Sequence, residues 1–352
     1  MDVVFLCGDR SDYGLCHAAA IANSSLNLRA VVVPGQKRWE TFESALHRGG
    51  ERIPPFRGQN QLRSLVAGLL PQPLLELVGK SVPRIPSLRQ LARHHNFEIH
   101  TVESVNDPDF IEGLARFNAE VLLTAAYPQL FGRELLQAVP RGCINFHPSL
   151  LPAYRGAYPH FWVLAKGEEK TGVTAHFMTE GIDDGPLIAQ REIALSGLDF
   201  RSLHACLRAE TEVLVTEVAD FLCDGGRRPR PQDEDRATVY KQPVLSDVEL
   251  RFDRMVSADL INLVRTGLAG FVSSQGWVAV RRMSVHSLPS AGERRLHQPG
   301  EILATSKEGL LLASIDGFLL LEELWLLRRK TSGRNLLKKL NLKPGMQILP
   351  IR

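Results

Sequence analysis

Strand-like apolar runs alternate with helix-like segments along the first 223 residues, and this alternation leaves few folds open to the chain. The runs VVFLC, LRAVVVPG, EVLLTAAY and CINFH are short, rich in Val, Ile and Leu, and separated by longer segments of helical character. Strands that are apolar on both faces belong in parallel sheets whose two sides are covered by helices. The pattern predicts an α/β domain over residues 1–223, built on a doubly wound, mostly parallel sheet.

One break in composition divides the chain, and a length of 352 residues favours two domains. Residues 224–240, DGGRRPRPQDEDRATVY, are rich in Gly, Pro and charge, as interdomain linkers are. Short alternating runs separated by turn residues follow, and they predict a small β-barrel over residues 241–352. Residues 35–85 form a basic insertion in the first domain. This insertion either covers a site or is a solvated excursion.

Composition narrows the function classes. No apolar run reaches the length of a membrane span, and the start MDVVFLCG lacks the basic region of a signal peptide, so a cytoplasmic protein without membrane contact is expected. The five cysteines are scattered without a CxxC pair, which indicates reduced core thiols and no metal site. Residues 237–352 carry 17 Lys and Arg against 10 Asp and Glu, a net charge of +7. A polyanion is therefore one candidate partner of the C-terminal region.

Two polar interruptions mark the candidate site. GCINFHPSLLPAYRG (residues 142–156) carries Asn145 and His147 two positions apart, which places both on one face of a strand. GIDDGPLI (residues 181–188) adds Asp183. Asn, His and Asp at strand ends are the groups that acyl transfer needs: a donor for developing negative charge, an acid/base and a carboxylate. Each residue alone is better explained by a structural role, and only their combination favours a site.

Transfer of a formyl group to an amine is one reaction that suits these groups. The Asn145 amide and a protonated His147 would donate to the formyl oxygen as negative charge develops there. Asp183 would raise the pKa of His147 and carry the proton that the amine loses. Cys143 shares the face of the strand that carries His147, and we assign it a packing role.

Residues 142–188 resemble the folate-dependent formyltransferase family, because the Asn-x-His-Pro-Ser-Leu-Leu-Pro string and the Asp of Asp-x-Gly-Pro stand at the family's separation. The resemblance implies a Rossmann-like formyltransferase domain, 10-formyltetrahydrofolate as formyl donor, and Asn145, His147 and Asp183 as catalytic residues. His176 matches a family position beside the site. Alignment with the family implies that two loops hold the pterin, largely through backbone groups: Ala125, Ala126, Tyr127, Gln129 and Phe131 in the first, and Thr179, Glu180, Gly181 and Ile182 in the second.

The C-terminal region resembles the OB-like domain of methionyl-tRNA formyltransferases in SADLINLVRTGLAG, PGEILATSKEGLLLASIDG and LLKKLNLKPGMQI. Those enzymes usually carry a WRGAAP-type string where this chain has YRGAYPHFW, which favours a small acceptor amine such as a nucleotide-linked amino sugar. The basic C-terminal region favours initiator tRNA instead. Two further alternatives are a 10-formyltetrahydrofolate hydrolase and a non-catalytic module that docks nucleic acid or protein.

Overall fold

The structure, a computed structural model, describes residues 1–8, 12–35, 87–224, 226–287, 297–326 and 329–348. Nearly all of the predicted insertion at residues 35–85 lies outside these ranges. The first part of the chain forms, in order, β1 (Asp2–Cys7), α1 (Asp12–Ala22), β2 (Asn27–Pro34), α2 (Leu88–His95), β3 (Glu98–Val102), α3 (Pro108–Gly113), β4 (Val121–Ala125), α4 (Arg133–Leu136), β5 (Cys143–His147), β6 (Arg155–Gly156), α5 (Pro159–Ala165), β7 (Lys170–Phe177), β8 (Leu187–Ala194) and α6 (Phe200–Cys223).

These strands form a seven-stranded sheet in the order β3-β2-β1-β4-β5-β7-β8. The pairs from β3 to β5 are parallel, whereas β5–β7 and β7–β8 are antiparallel. Residues 3–6 of β1 are fully buried, because α1 and α6 pack on one face of the sheet and α4 on the other. The prediction of a doubly wound, mostly parallel sheet is confirmed.

Helix ends follow local sequence signals. Asp107 caps α3 by accepting from the amide of Asp109 at 2.9 Å, and Pro108 occupies the first helical position, where its missing N–H costs nothing. Asp199 caps α6 in the same way, accepting from the Ser202 amide at 2.9 Å. The capping residues of α3 and α6 can be recognised in the sequence, and both helices start directly after these residues.

The second part of the chain forms β9 (Val239–Tyr240), α7 (Leu245–Val248), α8 (Ser257–Arg265), β10 (Gly270–Ser273), β11 (Gly276–Ser287), β12 (Ile302–Thr305), β13 (Leu310–Ala313), β14 (Phe318–Leu326), β15 (Arg329–Thr331) and α9 (Gly333–Leu340). Strands β10-β11-β14-β13-β12 make a curled antiparallel sheet, and β15 joins it beside β14. The sheet encloses its own hydrophobic core with α8 and α9. The predicted barrel-like C-terminal region is confirmed.

The segment SADLINLVRTGLAG, residues 257–270, has a helical sequence pattern throughout, but α8 ends at Arg265. Gly267 has a left-handed backbone (φ +73°), which stops the helix, and Gly270 already belongs to β10. A Cβ at Gly270 would lie 2.4 Å from the Val278 carbonyl oxygen, so this strand pairing requires glycine.

The two parts share an interface through α5. Val163 and Leu164 of this helix pack into the core of the first sheet, whereas Phe161 packs into the core of the C-terminal sheet. Arg265 of α8 strengthens the interface by donating to the carbonyl oxygens of residues 195 and 198 at 2.7 and 2.8 Å. The domain limits at residues 223 and 241 stay a prediction.

Two expectations from composition can be compared with the residues that the structure describes. Within them, no helix combines the length and apolar character that a membrane span requires. Cys7 and Cys143 are buried, but Cys223 is exposed because it occupies the last turn of α6. The expectation that the cysteines all lie in the core was therefore wrong for Cys223.

Candidate active site

The ends of β5 and β7 and the loop between β7 and β8 bring the three predicted catalytic residues together. Asn145 is paired with His176 of β7 in the antiparallel register. The loop folds back over β5 because Gly185 approaches the Phe177 carbonyl so closely that a Cβ would lie 1.9 Å from its oxygen. As a result, Asp183 Oδ1 lies 3.2 Å from Asn145 Nδ2. Asp183 Oδ2 lies 3.4 Å from Nδ1 of His147, the third predicted residue.

The proton position on His147 follows from its buried neighbours. Nε2 lies 2.8 Å from the Tyr154 carbonyl oxygen, which can only accept, so Nε2 carries a hydrogen. Nδ1 is then the nitrogen that faces Asp183. Burial lowers the pKa of His147, against the opposing effect of Asp183, and therefore favours the neutral ring. With its hydrogen on Nε2, neutral His147 has no hydrogen on Nδ1, so His147 Nδ1 and Asp183 Oδ2 can share one added proton.

Asp183 is held as a carboxylate. Its side chain is only 16% exposed, and burial alone raises its pKa. His147, His176 and the Gly156 amide, which donates to Oδ2 at 2.8 Å, outweigh burial and hold the pKa of Asp183 below its usual range. The site therefore contains a nearly buried base that is ionised at neutral pH.

The Asn145 amide bonds both His176 and Asp183. His176 donates from Nδ1 to the Phe177 carbonyl oxygen at 2.9 Å, which leaves its Nε2 to accept from Asn145 Nδ2 at 3.2 Å. The Asn145 bonds to His176 and Asp183 are both long for N–H donors. A stronger acceptor, such as a developing oxyanion, can replace either of them.

Cys143 takes no part in this cluster. Its Sγ faces the Leu135 carbonyl oxygen at 3.8 Å inside the core, and burial raises the pKa of the thiol to about 12. A neutral buried thiol is neither a nucleophile nor a metal ligand. Its environment is that of a packing residue.

Left-handed backbone conformations of residues other than glycine concentrate around the site. Ala126 follows β4, Tyr154 and Tyr158 flank β6, and Asp183 itself has φ +50°. Such conformations are costly for residues with a Cβ, and they persist only where surrounding contacts fix them. The segment AYPHFWVLAKGE, residues 157–168, has a helical sequence pattern, but α5 starts only at Pro159, because the preceding Tyr158 is left-handed and proline takes the first helical position.

Gly156 has a left-handed backbone that glycine adopts readily, and its amide also bonds Asp183. A prediction follows from this combination. Its φ is +92°, and a Cβ would lie 2.3 Å from the Tyr240 carbonyl oxygen. We expect Gly156→Ala to lower the free energy of unfolding by about 2 kcal/mol or more and to reduce kcat, because the amide that binds Asp183 must move. Thermal unfolding and steady-state turnover measure the two effects. Gly197→Ala is a matched control with φ +70° and no atom within 4 Å of its Cβ. Equal losses in the two variants would contradict a specific role for Gly156.

The first predicted folate loop follows β4. Ala125 is buried at the end of the strand, Ala126 is exposed and Tyr127 is half-buried. Gln129 uses its side chain on the backbone of the turn after β3, with bonds of 2.8 and 2.9 Å. Phe131 is buried in the core beneath the sheet. The loop is therefore anchored at Gln129 and Phe131, and its backbone is exposed at Ala126.

The second predicted folate loop faces the first. Thr179, Glu180, Gly181 and Ile182 are all exposed, with Ile182 at 48% among the exposed large apolar side chains. Glu180 joins the two loops through an ion pair of 2.7 Å with Arg133, at the start of α4. An exposed pair of this kind contributes little stability, but it sets the distance between the loops.

Sequence reasoning did not single out three groups that contact the cluster. These are the Gly156 amide, the Tyr154 carbonyl, and Gln232, whose side chain reaches the Asp183 carbonyl. Gly156 and Tyr154 act through their backbones, so their side-chain chemistry carries no signal. Gln232 lies in the segment whose composition predicts a linker.

A Rossmann-like sheet that presents an Asn–His–Asp cluster beyond its last parallel strand is the architecture of a group-transfer enzyme. Residues 75–216 match the family model described as "Formyl transferase". The methionyl-tRNA formyltransferase of Synechococcus sp. (strain JA-3-3Ab) is 33% identical over 318 residues, which cover 82% of this chain and 96% of that protein. The methionyl-tRNA formyltransferase of Ruminiclostridium cellulolyticum is 31% identical over 245 residues, with 68% and 77% covered.

Among solved structures, WlaRD, a sugar 3N-formyl transferase crystallised in the presence of dTDP and 5-N-formyl-THF, aligns with a TM-score of 0.58. The alignment covers 94% of this chain and 99% of that chain, and at 13% identity it is a likeness of fold. The chain belongs to the folate-dependent formyltransferase family. It is a folate-dependent N-formyltransferase.

Proposed function

We propose that Asn145, His147 and Asp183 are the catalytic group of this N-formyltransferase. When bound, 10-formyltetrahydrofolate supplies the formyl carbon. The acceptor amine attacks that carbon through its nitrogen lone pair, so negative charge develops on the formyl oxygen and the amine becomes acidic. The Asn145 amide donates to the oxygen. The His147–Asp183 pair accepts the amine's proton and returns it to the folate nitrogen as the old C–N bond breaks.

The observation that carries this assignment is the 3.4 Å separation of His147 Nδ1 from Asp183 Oδ2, with the His147 hydrogen on Nε2. Two facing acceptors with one ionised carboxylate can take up one proton jointly. His147 remains anchored to the Tyr154 carbonyl throughout, so it keeps one tautomer. The pair therefore suits an amine that must lose exactly one proton.

The two loops that flank the cluster fit a flat, partly apolar folate ring. Leu130 is 75% exposed and Ile182 48% exposed, so each loop offers an apolar side chain to a ligand. The Tyr127 hydroxyl is buried and has no hydrogen-bond partner among the described residues. We propose that the predicted residues of both loops hold the pterin, with the Ala126 backbone among the groups that bind it.

We infer that the acceptor is a small primary amine of the nucleotide-linked amino-sugar class. Tyr158 and His160 of the YRGAYPHFW string lie beyond Gly156 and form a half-buried ring cluster with Phe200 and His204, at centroid distances of 4.4–5.7 Å. Within the described ranges, His160 Nδ1 is buried without a hydrogen-bond partner. Aromatic faces with an unused polar atom suit a sugar ring or a single base.

An aminoacyl-tRNA acceptor is the second candidate. The relatives named above are methionyl-tRNA formyltransferases. The terminal helix α9 also presents Arg334, Lys338 and Lys339 to solvent, and Lys343 follows it. Exposed cations of this kind bind phosphate regardless of sequence. On this proposal the barrel-like region, residues 241–352, would be the tRNA-binding domain.

These functions can be separated by measuring the release of tetrahydrofolate with a dTDP-linked amino sugar, with a tRNA substrate, and in buffer alone, where water is the acceptor. We expect a dTDP-linked amino sugar to accelerate release well above buffer alone, with a shallow dependence of kcat/KM on salt. A tRNA substrate would instead give log(kcat/KM) falling steeply with log salt. If no amine exceeds water, the protein acts as a hydrolase or a docking module.

Reversing two charges on α9 tests the same choice. We expect the Lys338→Glu, Lys339→Glu double variant to keep kcat/KM for the amino sugar within about twofold of wild type, because α9 would not contact a small acceptor. A loss of about tenfold or more with methionyl-tRNA, and no turnover of the sugar, would support the second candidate instead.

A further inference from the structure

The segment between the two sheets is bonded to the turn that carries Asp183. Gln232 Nε2 donates to the carbonyl oxygens of Asp183 at 2.7 Å and of Gly185 at 2.8 Å. Its Oε1 accepts from Arg155, at 3.1 Å from Nε and 2.8 Å from Nη2. Both amide hydrogens and both lone pairs of this half-buried side chain are therefore used.

Arg155 is the fixed point to which Gln232 is bonded. Its side chain is only 7% exposed, and it pairs bidentately with Glu234 at 2.7 and 3.0 Å. The next residue, Gly156, donates its amide to Asp183 Oδ2 at 2.8 Å. Asp183 is thus held from two sides, at its carboxylate by Gly156 and at its backbone carbonyl by Gln232.

The turn needs such support. Asp183 has a left-handed backbone, which is unfavourable for a residue with a Cβ, and Gly181 and Ile182 before it are exposed. Two bonds to the carbonyls of residues 183 and 185 fix the 183–184 and 185–186 peptide planes, which lie on either side of the Asp184–Gly185 pair. Loss of these two bonds would allow φ at Asp183 to relax, which would move the carboxylate away from His147.

We propose that Gln232 is a positioning residue for formyl transfer. It holds the turn at residues 183–185 so that the Asp183 carboxylate faces His147 and the attacking amine. This inference rests on the proposed catalytic role of Asp183. It assigns part of the assembly of the active site to the segment that joins the two sheets.

Two substitutions of Gln232 separate positioning from simple packing. Gln232→Ala removes all four bonds, whereas Gln232→Glu keeps the acceptor for Arg155 and removes only the two donors. We expect each variant to lower kcat by about 10- to 100-fold while KM for 10-formyltetrahydrofolate changes by less than about threefold. Asp233→Ala is the matched control, because within the described part of the chain the carboxylate of this exposed neighbour bonds only the Asp235 amide. The full-length chain is used, with thermal unfolding as the check on folding.

A second measurement shows whether Gln232 acts through Asp183. In an Asp183→Asn background, Gln232→Ala should lower single-turnover release of tetrahydrofolate by no more than about twofold, because the group that it positions no longer takes up a proton. A full additional loss would overturn the proposal. So would wild-type kcat in folded Gln232→Glu, since Arg155 packing alone would then be sufficient. If Asp183→Asn itself retains kcat, the proposed function fails, whatever the Gln232 variants show.

Discussion

We expect Asp183→Asn to lower kcat by about three orders of magnitude while the Kd for the formyl donor changes by less than about threefold. Asparagine has the same shape, and its Oδ1 can still accept from the Gly156 amide, which lies 2.8 Å from the carboxylate. It cannot take up a proton, however, and it leaves His147 Nδ1 as the only base that faces the amine. The amine's proton then has no ionised acceptor, so the chemical step slows.

The adjacent Asp184 provides a matched control. It is exposed, and its carboxylate accepts from the Thr179 hydroxyl rather than from the cluster. Asp184→Asn should retain most of its kcat, although Thr179 lies in the proposed folate loop, so KM is measured as well. If Asp184→Asn showed the large loss and Asp183→Asn did not, the proton-transfer role would belong to Asp184.

The second large effect is expected for Asn145→Ala, with a loss of about 100- to 1000-fold in kcat, which is typical of removing one donor from a developing oxyanion. Asn145 supplies the only side-chain amide within hydrogen-bond distance of both Asp183 and His176 in the described part of the chain. Because β5 is paired on both sides, the backbone should keep its place when the side chain is shortened. The loss should therefore appear in kcat more than in folate binding.

Asn23→Ala serves as the control for this substitution, because Asn23 follows α1 on the surface and bonds only the Ala19 carbonyl. Both variants are compared with wild type by stopped-flow release of tetrahydrofolate and by thermal unfolding. A small kcat effect for Asn145→Ala, in a protein that unfolds at the wild-type temperature, would move the oxyanion donor to another group.

The sheet was predictable from sequence because its central strands, β1 and β4, are apolar on both faces. The segments VVFLC and VLLTA are almost entirely apolar, and all their residues are buried. The capping residues Asp107 and Asp199 mark the starts of their helices in the local sequence. The ends of α5 and α8 were less predictable. They depend on two left-handed residues, Tyr158 and Gly267, and a left-handed conformation at a tyrosine has no signal in the local sequence.

The candidate site was likewise predictable from sequence only in part. Asn145 and His147 share a strand face, so their proximity follows from the period of two, and family resemblance adds Asp183. The contacts that hold Asp183 were not predictable. Gly156 contributes only a backbone amide, and Gln232 lies 49 residues from Asp183 in a segment whose composition indicates a linker. Nothing local in a Pro- and Gly-rich stretch distinguishes a residue that bonds an active-site turn from one in solvent.

Phe161 and Val163 of helix α5 belong to different hydrophobic cores. This shared packing has a consequence for how the protein can evolve. The helix begins at Pro159, between Tyr158 and His160, the two residues to which acceptor choice is assigned in the proposed function. Exchanging the C-terminal region for that of a relative would replace half of the packing around α5 in the same event. We therefore expect an exchange of the C-terminal region to alter acceptor preference through α5. Substitutions that compensate such an exchange should accumulate first along α5 rather than among the catalytic residues.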